Sequence, residues 1–345
     1  YKRQALAGND GNWKYKITYK EAREDNPLFA LLAYCKEEGI PTVFWNKEDP
    51  PNYNHFIDAA KRFDYIFTTD QDCVENYKKE APDSKIAVLP FAAQPCLQNP
   101  VNTSRMPKLG DLCFAGAWYP RHPERFEDLR ILLSASTEYD LHIFDRYLHH
   151  PQHENYLFPD EYQPFIKGSL GFREMTEKYR NYRIFLNVNS VKDSPSMFSR
   201  RVFEILACGT PVVSGYAQGI EEMLGSDIVP LVRSEAEAKE QIDRLMGSEI
   251  ERDKLVLKGQ RKIFSEHTYR HRFESICQAL GIYVKRREAR VSVITATIRK
   301  NFVDNFLENF DRQSYPDKEL VVVINENREL TKAYIDQRAT ALGIR

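Results

Sequence analysis

Two arginines and one glutamate stand close together near the middle of the chain. Arg200 and Arg201 follow Ser199 directly, and Glu204 comes one helical turn later. Residues three and four apart on a helix share one side, so Glu204 and the arginines can act on one ligand. Arginine binds phosphate through two parallel hydrogen bonds, and a carboxylate can accept hydrogen bonds from a ribose diol. The spacing therefore predicts a site for an anion with a sugar beside it.

The expected position of the arginines on their helix supports this prediction. Ser199 is a favourable N-cap residue, which places Arg200 and Arg201 in the first helical turn. Positive charges there oppose the helix dipole, and an anion bound at the free backbone N–H groups would compensate them. The alternative is that Arg200 and Glu204 form an ordinary ion pair on the helix surface.

The elements that must position these residues alternate between short apolar strands and helices. Strands are predicted at 41–45, 65–69, 86–89, 112–115, 141–144, 165–167, 183–188, 211–214 and 228–232. Helices are predicted from residue 28 to Gly39 and at 54–62, 70–79, 123–135, 171–180, 199–207, 219–224, 235–247 and 250–280. This alternation indicates an α/β fold with parallel sheets and helical crossovers. In open sheets of this kind, ligands bind beyond the carboxyl ends of the strands.

The bulk composition excludes several classes of protein. Lys plus Arg is 49 and Asp plus Glu is 50, a net charge of −1, so we expect no basic face for nucleic acid. The six cysteines form no CxxC pair, which disfavours a zinc or redox motif and favours a reducing, cytoplasmic location. No apolar run approaches the roughly 18 residues that span a bilayer, and peripheral association with the inner face of a membrane stays open.

The stretch Arg201-Val202-Phe203-Glu204-Ile205-Leu206-Ala207-Cys208-Gly209-Thr210-Pro211 resembles the donor-binding signature of GT-B glycosyltransferases. It is most similar to the CgeB-like spore maturation group. Upstream segments that are similar to the same group are 44–50, 67–70, 89–92 and 113–116, so the resemblance covers about residues 28–280. It implies two Rossmann-like domains that face a cleft. These would be an acceptor-side domain at 1–93, possibly incomplete, a linker at 94–109 and a donor domain at 110–283.

The resemblance also implies roles for individual residues. Glu204 would bind the ribose of a nucleotide-diphosphate-sugar, and Arg200 or Arg201 its diphosphate, without a metal. Lys167, Gly168 and Ser169 lie where the family holds the nucleotide base through backbone contacts. Many retaining members carry a second glutamate eight residues before the first, but Ser196 occupies that position here. The paired-glutamate assignment therefore fails, and the stereochemical outcome cannot be carried over.

Further donor-site candidates follow from the topology. They are Gly116, Asn189, Lys192, Gly215 and Gly219. The backbone at Gly116 could approach phosphate or form a simple turn, and the loop between Gly215 and Gly219 could touch the transferred sugar. Asn189 and Asn187 are expected to point in alternate directions, so that only one faces the ligand. Lys192 either adds charge to the phosphate site or is a solvated surface lysine.

A base for the acceptor hydroxyl is needed if the reaction inverts. In the GT-B fold it comes from the N-terminal domain, where Glu48, Asp49 and Asp70 follow strands and should face the cleft. The alternatives are that Asp49 merely starts a turn and that Asp70 merely caps a helix. The histidines of the loops, His122, His149 and His150, are weaker candidates. We therefore predict Glu48 or Asp49 as the base.

The segment 287–345 resembles the opening of a family 2 GT-A glycosyltransferase, through the stretches 291–297, 313–316 and 319–323. Strands are predicted at 291–294 and 320–324, with a helix at 302–313. The resemblance implies a divalent metal held by an acidic pair in a complete domain. Asn325 and Glu326 stand where an aspartate is usual, and the acidic pair is not reached. We expect a truncated domain that is inactive alone, in a parent with two transferases in tandem.

The leading hypothesis is thus a glycosyltransferase that moves a sugar from a nucleotide-diphosphate-sugar to a glycan or to a cell-envelope or spore-surface acceptor. The alternative is a non-catalytic nucleotide-sugar-binding scaffold in a polysaccharide assembly complex, which the missing second glutamate and the short N-terminal domain favour. A sugar-nucleotide epimerase of the same fold is a third hypothesis. Sugar transfer or donor hydrolysis would separate the first from the second.

Overall fold

The computed structural model describes residues 16–18, 26–120, 122–151, 153–285, 289–324 and 329–344. These residues form two compact units, which divide between Ile282 and Tyr283. Asn325 and Glu326, predicted above to replace an aspartate, lie outside the described residues.

The first part of unit one is a three-stranded parallel sheet with helices around it. Its strands are β1 (Val43–Asn46), β2 (Tyr65–Thr68) and β3 (Lys85–Val88), in the order β1-β2-β3. Its helices are α1 (Pro27–Glu37), α2 (Tyr53–Ala60) and α3 (Val74–Glu80), the last preceded by a 3-10 turn at Gln71–Cys73. Phe44, Phe56, Ile66 and Tyr77 form the core, where burial of apolar surface supplies the main stabilisation.

The second part of unit one carries a six-stranded parallel sheet. The strands are β4 (Gly110–Gly116), β5 (Leu141–Asp145), β6 (Ile166–Gly168), β7 (Tyr182–Asn187), β8 (Val212–Gly215) and β9 (Leu231–Val232). Their order is β6-β5-β4-β7-β8-β9. Counted from β4, this is the 3-2-1-4-5-6 order of a doubly wound sheet, which reverses direction between β4 and β7.

Helices cover both faces of this sheet, so its central strands are buried on both sides and consist almost entirely of apolar residues. The helices are α4 (Pro123–Ser134), α5 (Phe172–Lys178), α6 (Arg201–Cys208), α7 (Gln218–Met223), α8 (Glu235–Gly247), α9 (Glu249–Glu266) and α10 (Tyr269–Ala279). Short 3-10 turns lie at Thr103–Arg105, His153–Tyr156 and Asp160–Phe165.

The prediction of one helix at 250–280 is wrong, because the chain breaks between α9 and α10. The N–H of Ala93 donates to the carbonyl of His267, and the N–H of Tyr269 donates to the carbonyl of Ala93. Thr268 then caps α10 together with His271, whose Nδ1 lies 2.8 Å from the Thr268 hydroxyl. The apolar periodicity continues across this point, so only the tertiary contact with Ala93 reveals the break.

Unit two contains a parallel pair of strands and two helices. The elements are β10 (Val291–Thr297), α11 (Val303–Asp311), β11 (Lys318–Ile324) and α12 (Lys332–Ala341). A small core of Val303, Leu307, Leu330 and Ile335 joins the helices to one face of the strand pair. The sequence predictions for β10, α11 and β11 match these elements, whereas α12 was not predicted. Every helix in the described residues is too short or too polar to span a lipid bilayer.

Candidate functional site

The carboxyl ends of β4 and β7 lie side by side where the strand order reverses. Gly116 ends β4 and Asn187 ends β7, and the chain then forms the loop 188–200 before α6 begins. Crossovers on opposite sides of a sheet leave a crevice at such a point, which is the usual ligand position in open α/β sheets. Most of the predicted donor-site residues lie on the loops and helix that surround it.

Arg200 and Glu204 form a largely enclosed ion pair at this crevice. Nε of Arg200 lies 2.8 Å from Oε1 of Glu204, and only 19% and 5% of the two side chains are exposed. Glu204 also accepts a 2.9 Å hydrogen bond from the Tyr179 hydroxyl, and burial raises the pKa of Tyr179 well above its usual value, so that this tyrosine stays a donor. The ion pair of the alternative is therefore present, but it is largely enclosed and does not lie on an exposed helix surface.

Arg201, the next residue on α6, reaches the end of β4. Its guanidinium donates to the carbonyl of Ala115. Arg125, in the first turn of α4, donates to the carbonyl of Ala117 at 3.0 Å, and the backbone N–H of Arg146 donates to the carbonyl of Gly116 at 2.8 Å. Three arginines thus donate to three consecutive carbonyls at the switch point. Arg125 and Arg201 do so through their guanidiniums, and Arg146 does so through its backbone N–H.

These three arginines form a concentration of positive charge. Within the described residues, none of Arg125, Arg146 and Arg201 has a carboxylate ion pair. Burial, together with the neighbouring charges of Arg201 and Arg146, lowers the pKa of Arg125 to about 10. The guanidinium of Arg125 also stacks on the Tyr119 ring, 4.6 Å from its centroid. Such a cluster can bind an anion at the crevice.

The sequence predictions missed Arg125 and Arg146. A signal for Arg125 was present, because it is a cation in the first turn of a helix, the same feature that identified Arg200 and Arg201. Arg146 directly follows β5, and only the pairing of β5 with β4 brings it to the same place.

The prediction of Ser199 as the helix N-cap is wrong, because Arg200 occupies that position with helical backbone angles. The turn from Ser199 to Val202 is already closed by a backbone hydrogen bond, so the helix needs no side-chain cap there. Ser199 instead donates its N–H to Oδ1 of Asn189 at 3.0 Å.

The expectation that Asn187 and Asn189 point in alternate directions is also wrong. Positions two apart on an extended chain share a face. The side-chain amides of Asn187 and Asn189 both donate to the Ser214 hydroxyl, at 2.9 and 3.2 Å respectively. Asn189 also donates to the carbonyl of Gly215 at 3.2 Å. It therefore fixes the loop before α6 to the end of β8.

Gly116, Gly215 and Gly219 leave no room for a side chain. A Cβ on Gly116 would lie 2.6 Å from the Phe114 ring, and one on Gly215 would lie 2.6 Å from Oδ2 of Asp128. A Cβ on Gly219, in α7, would lie 3.0 Å from the Phe198 ring. Close protein packing thus requires these glycines, and their contact with a ligand stays a prediction.

The predicted lysines lie in different surroundings. Lys192 forms a 2.9 Å ion pair with Oδ1 of the buried Asp128, so it is not a solvated surface lysine, and its contribution to the phosphate site stays a prediction. Lys167 is exposed on β6, beside Gly168 with φ 124° and the half-buried Ser169. The role of residues 167–169 in holding a base stays a prediction.

Among the candidate bases, Asp49 is fully enclosed. Its carboxylate accepts hydrogen bonds from Asn46 at 2.7 Å, from Thr68 at 2.6 Å and from Tyr77 at 3.0 Å. Burial raises the pKa of Asp49 to about 6, against the lowering effect of the bonds from Thr68 and Tyr77. With no exposed surface, this carboxylate fixes the loop after β1, and its role as a base stays a prediction.

Glu48 and Asp70 differ from Asp49 and from each other. Glu48 is half-buried, and its carboxylate accepts a 2.9 Å hydrogen bond from Asn52. Asp70 is 2% exposed and caps the 3-10 turn through the N–H of Asp72. Its Oδ1 also accepts a 2.6 Å hydrogen bond from the Ser194 hydroxyl, in the loop before α6. The alternative of Asp70 as a cap thus describes part of its role.

Ser196 contacts the N-terminal part at the same place. Its hydroxyl accepts from the N–H of Gln71 at 2.8 Å and donates to the carbonyl of Thr69 at 3.0 Å. The position where many retaining enzymes carry a glutamate therefore joins the two parts of unit one.

The histidines named as weaker candidates, His122, His149 and His150, are all exposed. His122 and His150 lie at the edge of an aromatic cluster formed by Tyr119, Tyr147 and Tyr156. The described residues contain no group of three or more His, Cys, Asp or Glu side chains that could hold a metal ion.

Comparisons with known proteins agree with this geometry. Residues 130–278 match the family model described as Glycosyl transferase-like. No curated protein sequence is significantly similar to the chain.

Similar solved structures include a glycosyltransferase from Rickettsia africae, with 11% identity, a TM-score of 0.52, and 75% of this chain and 82% of that chain covered. HepE of Anabaena, in complex with UDP and glucose, has 12% identity and a TM-score of 0.51, with 74% and 75% covered. Sucrose-phosphate synthase from Thermosynechococcus elongatus has 13% identity and a TM-score of 0.50, with 74% and 77% covered. Likeness at such identities shows the fold alone. The chain thus has the predicted α/β fold of the GT-B glycosyltransferases, and its residues 130–278 are similar to the Glycosyl transferase-like family.

Proposed function

We propose that the chain transfers a sugar from a nucleotide-diphosphate-sugar to a glycan or cell-envelope acceptor. The observation that carries the proposal is the position of Arg125 and Arg201, whose guanidiniums lie at the switch point of the donor sheet and, within the described residues, form no ion pair with a carboxylate. The family match over residues 130–278 and the binding of UDP and glucose by HepE support it.

The diphosphate would lie against Arg200 and the arginine cluster, and the ribose against Glu204. During transfer, the bond between the anomeric carbon and the diphosphate oxygen breaks, and its electron pair stays on the leaving diphosphate. The arginines stabilise that charge, which is the main electrostatic requirement of the reaction. They can do so without a divalent metal, so we propose that the reaction is metal-independent.

The acceptor oxygen forms the new bond to the anomeric carbon and loses its proton. For an inverting reaction we propose Glu48 as the base, because it alone of the three candidates is partly exposed at the end of β1. Asp49 and Asp70 would hold the surrounding loops in place through their hydrogen bonds.

The finer assignments belong to the same proposal. The similarity of residues 201–211 supports membership of the CgeB-like group, with domains at 1–93 and 110–283 joined by a linker at 94–109. The parallel pair β10 and β11 supports the opening of a GT-A-like domain in residues 287–345. The six free cysteines support a reducing, cytoplasmic location.

Thermal unfolding with a panel of nucleoside diphosphates and their sugars tests the proposal, because a ligand that binds the folded state raises its stability. The parent should bind at least one donor and transfer or hydrolyse its sugar. Changing Arg200 and Arg201 together to alanine should weaken binding, whereas Arg130→Ala, on the exposed side of α4, should not. Binding without any transfer or hydrolysis would support the scaffold alternative, and unchanged donor binding by the folded double variant would refute the arginine site.

A further inference from the structure

Lys47 lies between two aromatic rings at the carboxyl end of β1. Its Nζ is 4.9 Å from the centre of the Trp45 ring and 5.7 Å from the centre of the Tyr269 ring. The two rings contact each other edge to face at 6.0 Å. Trp45 belongs to the N-terminal sheet and Tyr269 begins α10, so Lys47 is held where the two parts of unit one meet.

The ammonium of Lys47 has no carboxylate ion pair among the described residues. Glu48 is the neighbouring acid, but its carboxylate accepts a hydrogen bond from Asn52. Burial lowers the pKa of Lys47, and the charge of Glu48 opposes this effect. Ring faces attract a cation but only partly replace the water it loses. A half-buried cation in these surroundings is therefore a good partner for an anion.

Tyr269 connects Lys47 to the donor site. The Tyr269 hydroxyl is hydrogen-bonded to Arg200, and the charges of Arg200 and Glu204 both act on it. Lys47 and Arg200 therefore contact the same tyrosine, one at its ring and the other at its hydroxyl. Two cations, one from each part of unit one, converge on one place in the cleft.

We propose that Lys47 binds the diphosphate of a nucleoside diphosphate or its sugar, from the acceptor side of the cleft. This inference rests on the proposed function and adds a binding residue outside the donor domain. Lys47 reaches the ligand only while Trp45 and Tyr269 stay together, so the diphosphate would bridge the two parts of the unit.

The test compares Lys47→Met with the parent in the full chain. The probe is whichever of UDP, GDP, ADP and CDP the parent binds most tightly, with the matching nucleoside as a second ligand. Titration calorimetry should show about tenfold weaker binding of the diphosphate by the variant and unchanged binding of the nucleoside, which has no phosphate. Lys47→Arg should recover most of the affinity.

Lys85→Met is the matched control, because Nζ of Lys85 lies 5.0 Å over the Tyr65 ring at the opposite, amino end of the strands. It should bind the diphosphate like the parent. Equal diphosphate affinity of the parent and Lys47→Met would overturn the inference while leaving the proposed function intact. Failure of the parent to bind any of the four diphosphates would refute both.

Discussion

The hydroxyl of Ser194 donates a 2.6 Å hydrogen bond to the carboxylate of Asp70, 124 residues earlier in the chain. Both groups are buried, at 2% exposure each. The contact joins the loop before α6, which carries the predicted donor residues, to the end of β2 in the N-terminal part. The position of the donor loop therefore depends on the contact between the two parts of unit one.

Ser194→Ala should destabilise unit one by about 1–3 kcal/mol, because the buried Asp70 carboxylate loses a donor. A double-mutant cycle with Asp70→Asn, followed by urea unfolding, should give a coupling free energy of about 1 kcal/mol or more. Ser265→Ala, on the exposed side of α9, is the control and should have little effect. Additive effects of the two substitutions would contradict a direct contact.

Glu204→Gln should weaken nucleoside diphosphate binding roughly tenfold or more, because a neutral amide replaces a charged acceptor of the ribose. Inorganic pyrophosphate has no ribose, so its affinity should stay the same or rise as Arg200 loses its partner. Calorimetry with both ligands checks this difference. Glu221→Gln is the matched control, since Glu221 also accepts a 2.9 Å hydrogen bond from a tyrosine. Equal losses for both ligands would argue against a ribose contact.

Gly215→Ala should destabilise the fold by about 1–3 kcal/mol, because the new methyl group would lie 2.6 Å from Oδ2 of Asp128. Gly247→Ala is the control, since a Cβ there meets nothing within 4 Å. Thermal unfolding of both variants measures the difference. If Gly215→Ala is as stable as the parent, the close approach of Asp128 is not a constraint.

The titration of His267 should lower stability as the pH falls from about 6.5 to about 4, while that of Asp49, whose folded pKa is raised to about 6, acts in the opposite direction. Burial lowers the pKa of His267 to about 4, and the Arg272 charge adds to this effect. As the pH falls, the unfolded chain therefore binds a proton at His267 before the folded chain does. The contribution of His267 to the free energy of unfolding falls by about 3 kcal/mol across that range. In urea unfolding, His267→Gln should gain stability relative to the parent as the pH falls through this range, whereas the exposed His55→Gln should follow the parent. A constant stability difference between the parent and His267→Gln across this range would contradict the prediction.

The strands and most helices could be predicted because short apolar runs bounded by Gly, Pro and polar residues are local signals. The motif at residues 201–211 likewise located the end of the sheet that carries the site. The break at Thr268 was missed because it depends on Ala93, far away in the sequence. The enclosure of Asp49 could not be predicted either, since Thr68 and Tyr77 reach it only in the folded sheet.

The chain crosses between the two parts of unit one at residues 90–93 and again where α10 begins, and the two crossings are bound to each other. Ala93 pairs with Thr268, and the buried guanidinium of Arg272 donates to the carbonyls of Pro90 and Phe91 at 2.8 Å. Because the two crossings are bound to each other at one place, the opening of the cleft that breaks the fewest contacts is a hinge rotation about that place. Such a rotation would separate the opposite edge of the cleft, where the hydrogen bonds of Ser194 to Asp70 and of Ser196 to Thr69 would have to break.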